Sequence, residues 1–417
     1  MSHHRVQPVI TPMSADQGAE LVALDEWAFP HDPTGIDPAP ALAELEWERT
    51  FGARLADPDR LSGIYTAYSV RCPVPGGEVP AAGLSWVGVH PRDRRRGVLT
   101  SMIGHHLADV AAHGEPFSLL YASEPTIYGR FGYGLASQTL RFGLSRGAAL
   151  RPVPGCADLL VDIDAADPDR YSAPFAACYD AARAGRPGWI SREPTGKRWS
   201  LFQDPPPRRE GAEPLRVITA SAPDGELRGY ALFRRRPSWT NGVADGTVTV
   251  HHLVARDAAA SHALWSRLLD LDLTTRVSSP ALAIDDPLLS LLVDARSTAP
   301  RWSDALWLRL VDLPAAHAAR RYAAGVDAVL AVTDDGLPAN AGRWHLVGDR
   351  DGATCRRTDA APDLTLDVRE LGSAYLGGVT LATLAAAGLV TATDPDALLT
   401  ASIAFSWPVA PFCGWEF

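Results

Sequence analysis

The chain has 417 residues, 46% of them hydrophobic and 21% charged, enough for two or three domains with separate cores and typical of an ordinary globular protein. Its formal net charge of −10 excludes a general nucleic-acid binder, which needs a basic face, and favours a cationic small-molecule partner. No apolar run reaches the roughly 18 residues that span a bilayer, and the start, MSHHRVQPVI, lacks the layout of a signal peptide, so a cytoplasmic location is expected.

The first block, residues 1–150, contains a helical stretch, LAELEWERTF, with Trp47 in it, and then the segment Leu84 to Gly134. An extended run, LSWVGV, leads into Pro91-Arg92-Asp93-Arg94-Arg95-Arg96-Gly97. Val98, Leu99, Met102, Ile103, Leu107 and Val110 follow at helical spacing, so a helix starts near Gly97. The first turn of a helix has free N–H groups and the positive end of the dipole, which suit a phosphate. Gly97 leaves the backbone open, and Arg95 and Arg96 add charge-assisted hydrogen bonds to a diphosphate. A second strand, FSLLYASE, and a turn, IYGRFGYG, come next. This order fits a site for a phosphate-bearing cofactor with a proton donor, Tyr128, close by; the alternative for Tyr128 is an aromatic that caps the core. Tyr133 reads as packing. Trp47 and Trp86 face either substrate or core.

The second block, residues 151–300, has a Pro-rich surface loop, DPPPRREGAEP, and two strands, LRVITAS and LRGYALFRR. The run Arg234-Arg235-Arg236 precedes a proline and reads as solvated surface. GTVTVHHLVARDAAASHALWSRLLDL is again strand, loop and helix, a worn copy of the first block's segment without its arginines and glycine. The third block, residues 301–417, opens with a strand, ALWLRLVDL, and a helix, PAAHAARRYAAG. Strand-like DAVLAVTDD, RWHLVGD and LTLDVREL follow, then helices near 373–387 and 395–404, an α+β pattern.

Five scattered cysteines, Cys72, Cys156, Cys178, Cys355 and Cys413, form no CxxC pair, so neither a disulfide framework nor structural zinc is expected. Cys413 reads as a small buried hydrophobe rather than a nucleophile. His105-His106 and His251-His252 lack a metal-ligand constellation. The lone lysine, Lys197, reflects composition rather than function. The tail, IAFSWPVAPFCGWEF, is aromatic where termini are normally polar. Burying it takes the Phe417 α-carboxylate inside, and a buried carboxylate has a raised pKa that suits a general base. The alternative is a tail that only packs.

Arg94-x-x-Gly97 after a strand resembles the coenzyme A loop, Q/R-x-x-G-x-G/A, of the GNAT N-acetyltransferase superfamily, with Leu99 at the final Gly/Ala. With ASE-x-x-IYGRFGYG and the terminal Glu416-Phe417, the whole chain resembles the enhanced intracellular survival (Eis) family of aminoglycoside and amine acetyltransferases. That resemblance implies an α/β (α+β) fold: a GNAT domain (1–150), a degenerate second GNAT domain (151–300) and a sterol-carrier-protein-like domain (301–417) that delivers the C-terminal carboxylate. It implies acetyl-CoA as co-substrate, no metal, an amine acceptor such as an aminoglycoside, and a homohexamer. Val87, Gly88 and Val89 would pair with the pantetheine arm. Arg95, Arg96, Gly97, Val98, Leu99 and Thr100 would hold the diphosphate, and Ser123 and Glu124 would line the coenzyme. Tyr128 would be the acid and Phe417 the base, with Trp47, Trp86 and Glu416 toward substrate. A phenol of pKa about 10 facing a thiol of about 8.5 makes proton donation uphill by about 2 kcal/mol. Rival expectations are an acyl-CoA- or lipid-binding protein with a silent transferase site, and a protein-lysine acetyltransferase.

Overall fold

The computed structural model describes residues 7–30, 32–55, 60–192 and 200–417; His3, His4 and Lys197 lie outside the described residues. The first sheet has seven strands, in the order Val9–Pro12, Thr50–Arg54, Gly63–Val74, Gly77–Val89, Phe117–Tyr121, Leu306–Leu310 and Gly134–Leu135. Gly77–Val89 and Phe117–Tyr121 run parallel, and the helix Val98–Ala112 makes the crossover that a parallel pair requires. Its apolar face, Val98, Met102, Ile103, Leu107 and Val110, is buried as the spacing predicts.

The parallel pair is joined at Ala82–Ser118 and Gly83–Leu119. Past Gly83 the two strands part and a cleft opens. The first of them is also kinked there. Its pairing with Gly63–Val74 slips between Ser85–Thr66 and Gly88–Ile64, so Trp86 and Val87 oppose the single residue Tyr65. Trp86 takes φ +54°, a conformation costly for a bulky side chain and tolerated at a bulge that re-aims the strand.

The second sheet has six strands, in the order Gly143–Ser145, Thr274–Ser278, Gly246–Ala255, Leu227–Arg236, Arg216–Ser221 and Leu160–Ala165. Gly246–Ala255 and Thr274–Ser278 are its parallel pair, bridged by the helix Ala258–Leu269. The third sheet has five strands: Ala353–Arg357, Gly342–Gly348, Val326–Thr333, Leu364–Asp367 and Val390–Ala392.

Leu306–Leu310 links the first and third units physically. It pairs with Phe117–Tyr121 and Gly134–Leu135 in the first sheet, and its Leu308 and Leu310 share a core with Leu371, Ala374 and Tyr375 of the helix Val368–Tyr375. Contact across this seam is backbone to backbone: a Cβ added to Gly134 would sit 1.9 Å from the Arg369 carbonyl, so only glycine fits.

Several helices start at an aspartate that caps a backbone N–H just inside, with proline next: Asp167-Pro168, Asp286-Pro287 and Asp394-Pro395. Several stretches differ from the sequence expectation. The helix expected near 373–387 is two, Val368–Tyr375 and Leu381–Ala386. The stretch 314–325 leaves the helix after Ala319, because Arg320 turns into the core to donate to the Tyr375 and Phe405 carbonyls. LTLDVREL is strand only to Asp367, whose side chain caps the next helix at Arg369 N. Arg234-Arg235-Arg236 is not simply solvated: the three pair with Asp204, Glu213 and Glu210 of the Pro-rich loop, and Arg234 is buried.

Candidate active site

Beyond Gly83 the cleft widens into a cavity of about 1040 Å³, at the upper end for small-molecule sites. Of the expected residues, Trp86, Val87, Val89, Arg95, Gly97, Val98, Leu99, Thr100, Ser123, Glu124, Tyr128 and Phe417 line it. Residues from three distant parts of the chain, 86–100, 123–128 and 417, therefore meet at one opening.

Four expected residues sit elsewhere. Gly88 is packed beneath the helix Gly18–Ala28, where an added Cβ would lie 2.9 Å from Ala28 Cβ. Arg96 is turned back onto the buried Asp93, Nη1 to Oδ1 2.8 Å. Trp47 lies in a short 3-10 turn rather than a long helix and packs against the core shared by the first and third units. Glu416 is exposed, 3.9 Å from Arg141, and lines a second cavity of about 360 Å³.

The loop before the helix is shaped for close approach. Arg95 and Gly97 have φ of +62° and +89°, and Gly97, the residue that starts the helix, offers no capping side chain. A Cβ built on Gly97 would meet nothing within 4 Å. The start of the helix is therefore open at Gly97, while Arg94 and Arg95 line the cavity beside it. The equivalent place in the second unit is closed. There Asp257 caps its own helix, its carboxylate accepting from Ala260 N at 2.9 Å, and is paired with Arg228.

Tyr128 begins a 3-10 turn, Tyr128–Phe131, that follows the second strand of the cleft. Its ring meets Tyr133 edge-on at 5.9 Å between centroids. The two tyrosines are used differently. Tyr133 is fully buried, its hydroxyl 2.9 Å from Ser118 Oγ, which in turn is 2.8 Å from His106 Nε2. Among the described residues the Tyr128 hydroxyl has no hydrogen-bond partner, and it reaches the cavity. Burial, and after it the Glu124 carboxylate, push the Tyr128 phenol up to about 12, so it holds its proton throughout the neutral range.

The tail ends in the cleft. The Tyr121 hydroxyl donates to the Cys413 carbonyl at 2.8 Å, and the Phe417 ring packs edge-on against Tyr121 at 5.6 Å. A Cβ added to Gly83 would lie 2.9 Å from that ring, so the terminal residue covers the point where the strands part. Cys413 is buried, its thiol pushed up by desolvation, as befits a small hydrophobe rather than a nucleophile.

Sequence reasoning missed part of the lining. Asp25 comes from the first helix and Phe29 from the residue just after it, and Asp335 and Gly336 come from the third unit. The Asp335-Gly336 turn is held by Asp334, which accepts from Gly336 N and Leu337 N and pairs with the buried Arg309 on the inserted strand. Its sequence signal, an Asp-Asp-Gly turn, marks a loop but not its destination. Among the described residues no cluster of three or more His, Cys, Asp or Glu side chains forms a metal-binding group, and no helix is long and apolar enough to cross a membrane.

Comparison with known proteins gives three family-model matches: an acetyltransferase (GNAT) domain over residues 10–136, another acetyltransferase (GNAT) domain over 188–361, and a sterol carrier protein domain over 313–414. An uncharacterized N-acetyltransferase of Streptomyces avermitilis is 42% identical over 409 residues, covering 94% of this chain and 97% of the relative. The N-acetyltransferase Eis of Mycobacterium tuberculosis is 34% identical over 375 residues, 85% of each chain. The crystal structure of Eis1 from Mycobacterium abscessus superposes with a TM-score of 0.82 at 34% identity, over 98% of this chain and 100% of that one.

Proposed function

The chain belongs to the Eis-type N-acetyltransferases of the GNAT superfamily, and from that premise we propose that it moves the acetyl group of acetyl-CoA onto amines of polycationic small molecules such as aminoglycosides. The observation that carries this reading is the convergence, in one cavity, of a splayed strand edge, an uncapped helix start, an unpartnered tyrosine hydroxyl and the C-terminal residue. The free edge past Gly83 suits the amide-bearing pantetheine arm, and the open turn at Gly97 with Arg94 and Arg95 suits the diphosphate. Asp25 and Glu124 in the wall, with the net charge of −10, favour a cationic acceptor.

In this mechanism the amine lone pair attacks the thioester carbonyl carbon while both reactants are bound. The Phe417 carboxylate takes the amine proton, directly or through water. The carbon–sulfur bond breaks, and Tyr128 gives its proton to the departing thiolate. With the phenol at about 12, donation to a thiol of about 8.5 is uphill by about 5 kcal/mol, more than the sequence alone implies. The gap narrows in place, because the same dry wall that raises Tyr128 also destabilises the thiolate. The division at residues 150 and 300, a pocket-shaping second unit, a third unit that delivers the tail, a homohexamer and a cytoplasmic location belong to the same proposal, supported by the family resemblance.

A thiol-release assay with acetyl-CoA and a panel of aminoglycosides, polyamines and lysine peptides tests it. Aminoglycoside turnover is expected; none with any of the panel refutes the reading. Tyr128→Phe is expected to slow turnover by about 10²-fold, the scale of general acid catalysis, with acetyl-CoA affinity intact. Residues added after Phe417 are expected to abolish turnover in a folded protein; normal activity there removes the carboxylate from the mechanism.

A further inference from the structure

The second GNAT unit keeps the architecture of a coenzyme cleft without its phosphate site. Its parallel pair, Gly246–Ala255 with Thr274–Ser278, is last joined at Thr249–Ser278. Just past that point the strand bulges, with His251 the extra residue between the Val250–Phe233 and His252–Leu232 pairs. The first unit is built the same way, with its bulge just past Gly83. Yet Asp257 seals the helix start that would take a phosphate.

What lies against this second cleft is the chain's own tail. The second cavity is lined by Arg192 and His252 on one side and Gly414 and Trp415 on the other. The tail is held there by polar bonds with direction, not by packing alone. Asp285 Oδ2 accepts from Ala410 N at 2.9 Å, and Arg186 Nη1 donates to the Ala410 carbonyl at 2.8 Å. Phe412 N donates to the Pro187 carbonyl at 2.9 Å. Trp415 Nε1 donates to the Tyr179 hydroxyl at 2.8 Å, and that hydroxyl donates onward to the Ile190 carbonyl at 2.7 Å.

Arg192 organises the innermost anchor. It is 8% exposed, lies 4.0 Å over the Tyr179 ring, and donates through Nη2 to His252 Nε2 at 2.7 Å. A guanidinium only donates, so His252 Nε2 is the acceptor and the ring carries its proton on Nδ1. His252 is also hydrogen-bonded to the backbone of Gly414, while burial and the neighbouring Arg192 keep the ring neutral. Only Trp415 and Glu416 separate Gly414 from the terminal Phe417; residues 179–285 hold Ala410, Phe412, Gly414 and Trp415, and Tyr121 of the first unit holds Cys413 between them.

We propose that the second GNAT unit is a clamp for the C-terminal tail, its cleft turned from coenzyme to chain terminus, with Tyr179, Arg192 and His252 positioning the Phe417 carboxylate for proton transfer. The inference rests on the reading of Phe417 as the base. The third unit brings the tail to the seam, where Gly378 packs on Pro411, and the second unit aims it at the first.

The test uses the full-length chain with Tyr179→Phe, His252→Leu, the double variant and His252→Asn. Three quantities are read: kcat, acetyl-CoA Kd, and the rate at which carboxypeptidase removes Phe417. Loss of each hydrogen bond is expected to lower kcat by about tenfold and to speed removal of Phe417 by a similar factor. Acetyl-CoA Kd is expected to stay within about twofold, because no clamp residue lines the coenzyme cavity. His252→Asn, which keeps a donor where Nδ1 stood, is expected to recover most of the loss. A double variant with unaltered kcat and unaltered tail protection overturns the clamp, as does slow turnover with a fully protected tail. A chain extended past Phe417 separates the two failures. Normal turnover there removes the carboxylate from the chemistry, whereas lost turnover there beside a fully active double variant removes the clamp alone.

Discussion

Gly97→Asp writes the second unit's aspartate into the first unit's loop, and its effect follows from geometry on both sides. In the second unit Asp257 fills the amide of the third residue of its helix at 2.9 Å. The matching amide in the first unit is that of Thr100, which lines the cavity. Nothing lies within 4 Å of a Cβ at Gly97, so the new side chain meets no clash. Its backbone cost, at φ +89°, is about 1 kcal/mol, since aspartate and asparagine tolerate left-handed conformations best. The charge matters more. A carboxylate about 4 Å from a phosphate charge costs about 4 kcal/mol at an effective dielectric of about 20. That is about a thousandfold in Kd, and solvent at the open mouth reduces it toward a hundredfold. Gly97→Asn has the same shape and backbone cost without the charge; the backbone cost is equal in the free and bound protein, so acetyl-CoA should weaken only about fivefold, the loss of about one hydrogen bond to the Thr100 amide. Calorimetric titration of both variants decides the matter. If Asp and Asn bind acetyl-CoA within threefold of each other, the diphosphate does not sit on this helix start.

Gly134→Ala should destabilise the protein by about 3 kcal/mol or more, because its methyl must displace the Arg369 carbonyl across the seam of first and third units; denaturant titration with an unchanged midpoint would contradict the backbone contact. Gly83→Ala should act on turnover instead, since the atoms it meets belong to the terminal Phe417 ring, which can yield; kcat should fall about fivefold, the effect of about 1 kcal/mol of crowding, with the melting temperature nearly unchanged, and the reverse pattern would show the ring to be structural. Acid should weaken the fold early. Burial, with Arg49 near one and Arg320 near the other, lowers His106 and His317 to about 3, whereas unfolded histidine titrates near 6.5. The unfolded state therefore binds the extra protons, so this stability is complete above about pH 6.5 and is lost as pH falls toward 3. Going from pH 8 to 5.5 should cost about 1.4 kcal/mol per histidine, about 3 for the pair, and a flat urea midpoint over that range would refute it.

The elements read correctly from sequence are those whose signal is local. Val98 to Val110 carry a helical period, and Gly97 before them marks where the helix begins, so loop and helix were both legible. Tyr128 and Tyr133 were separated by context, and the structure gives each a distinct environment. What sequence could not carry is long-range placement. Leu306–Leu310 enters the first sheet from the start of the third block, and no local pattern announces a partner nearly two hundred positions away. Asp335 and Asp25 reach the cavity for the same reason. Arg96 looked equivalent to Arg95, but a buried carboxylate three positions earlier, Asp93, takes its charge. The aromatic character of Trp47 was visible; the short turn that aims it at the core was not.

The two GNAT units show what a duplicated cleft needs in order to change partners. Splay and bulge survive in both, because they are backbone features of a parallel pair whose strands diverge, and they present polar groups to whatever fills the gap. At the helix start the second unit lacks the arginine run and carries Asp257 in place of Gly97, and that side chain decides whether first-turn amides are available to a ligand or already bonded. Once they are bonded, an anion has no foothold, but an extended peptide still does, since backbone and buried donors such as Tyr179 and His252 recognise carbonyls and amides without regard to charge. A tail that enters such a cleft gains direction from fixed bonds at Ala410, Phe412 and Trp415. On this logic Asp257→Gly should leave the tail in place and create no second coenzyme site, because Gly414 and Trp415 already wall the cleft. Acetyl-CoA stoichiometry of one per chain in Asp257→Gly supports that account, and two per chain would refute it.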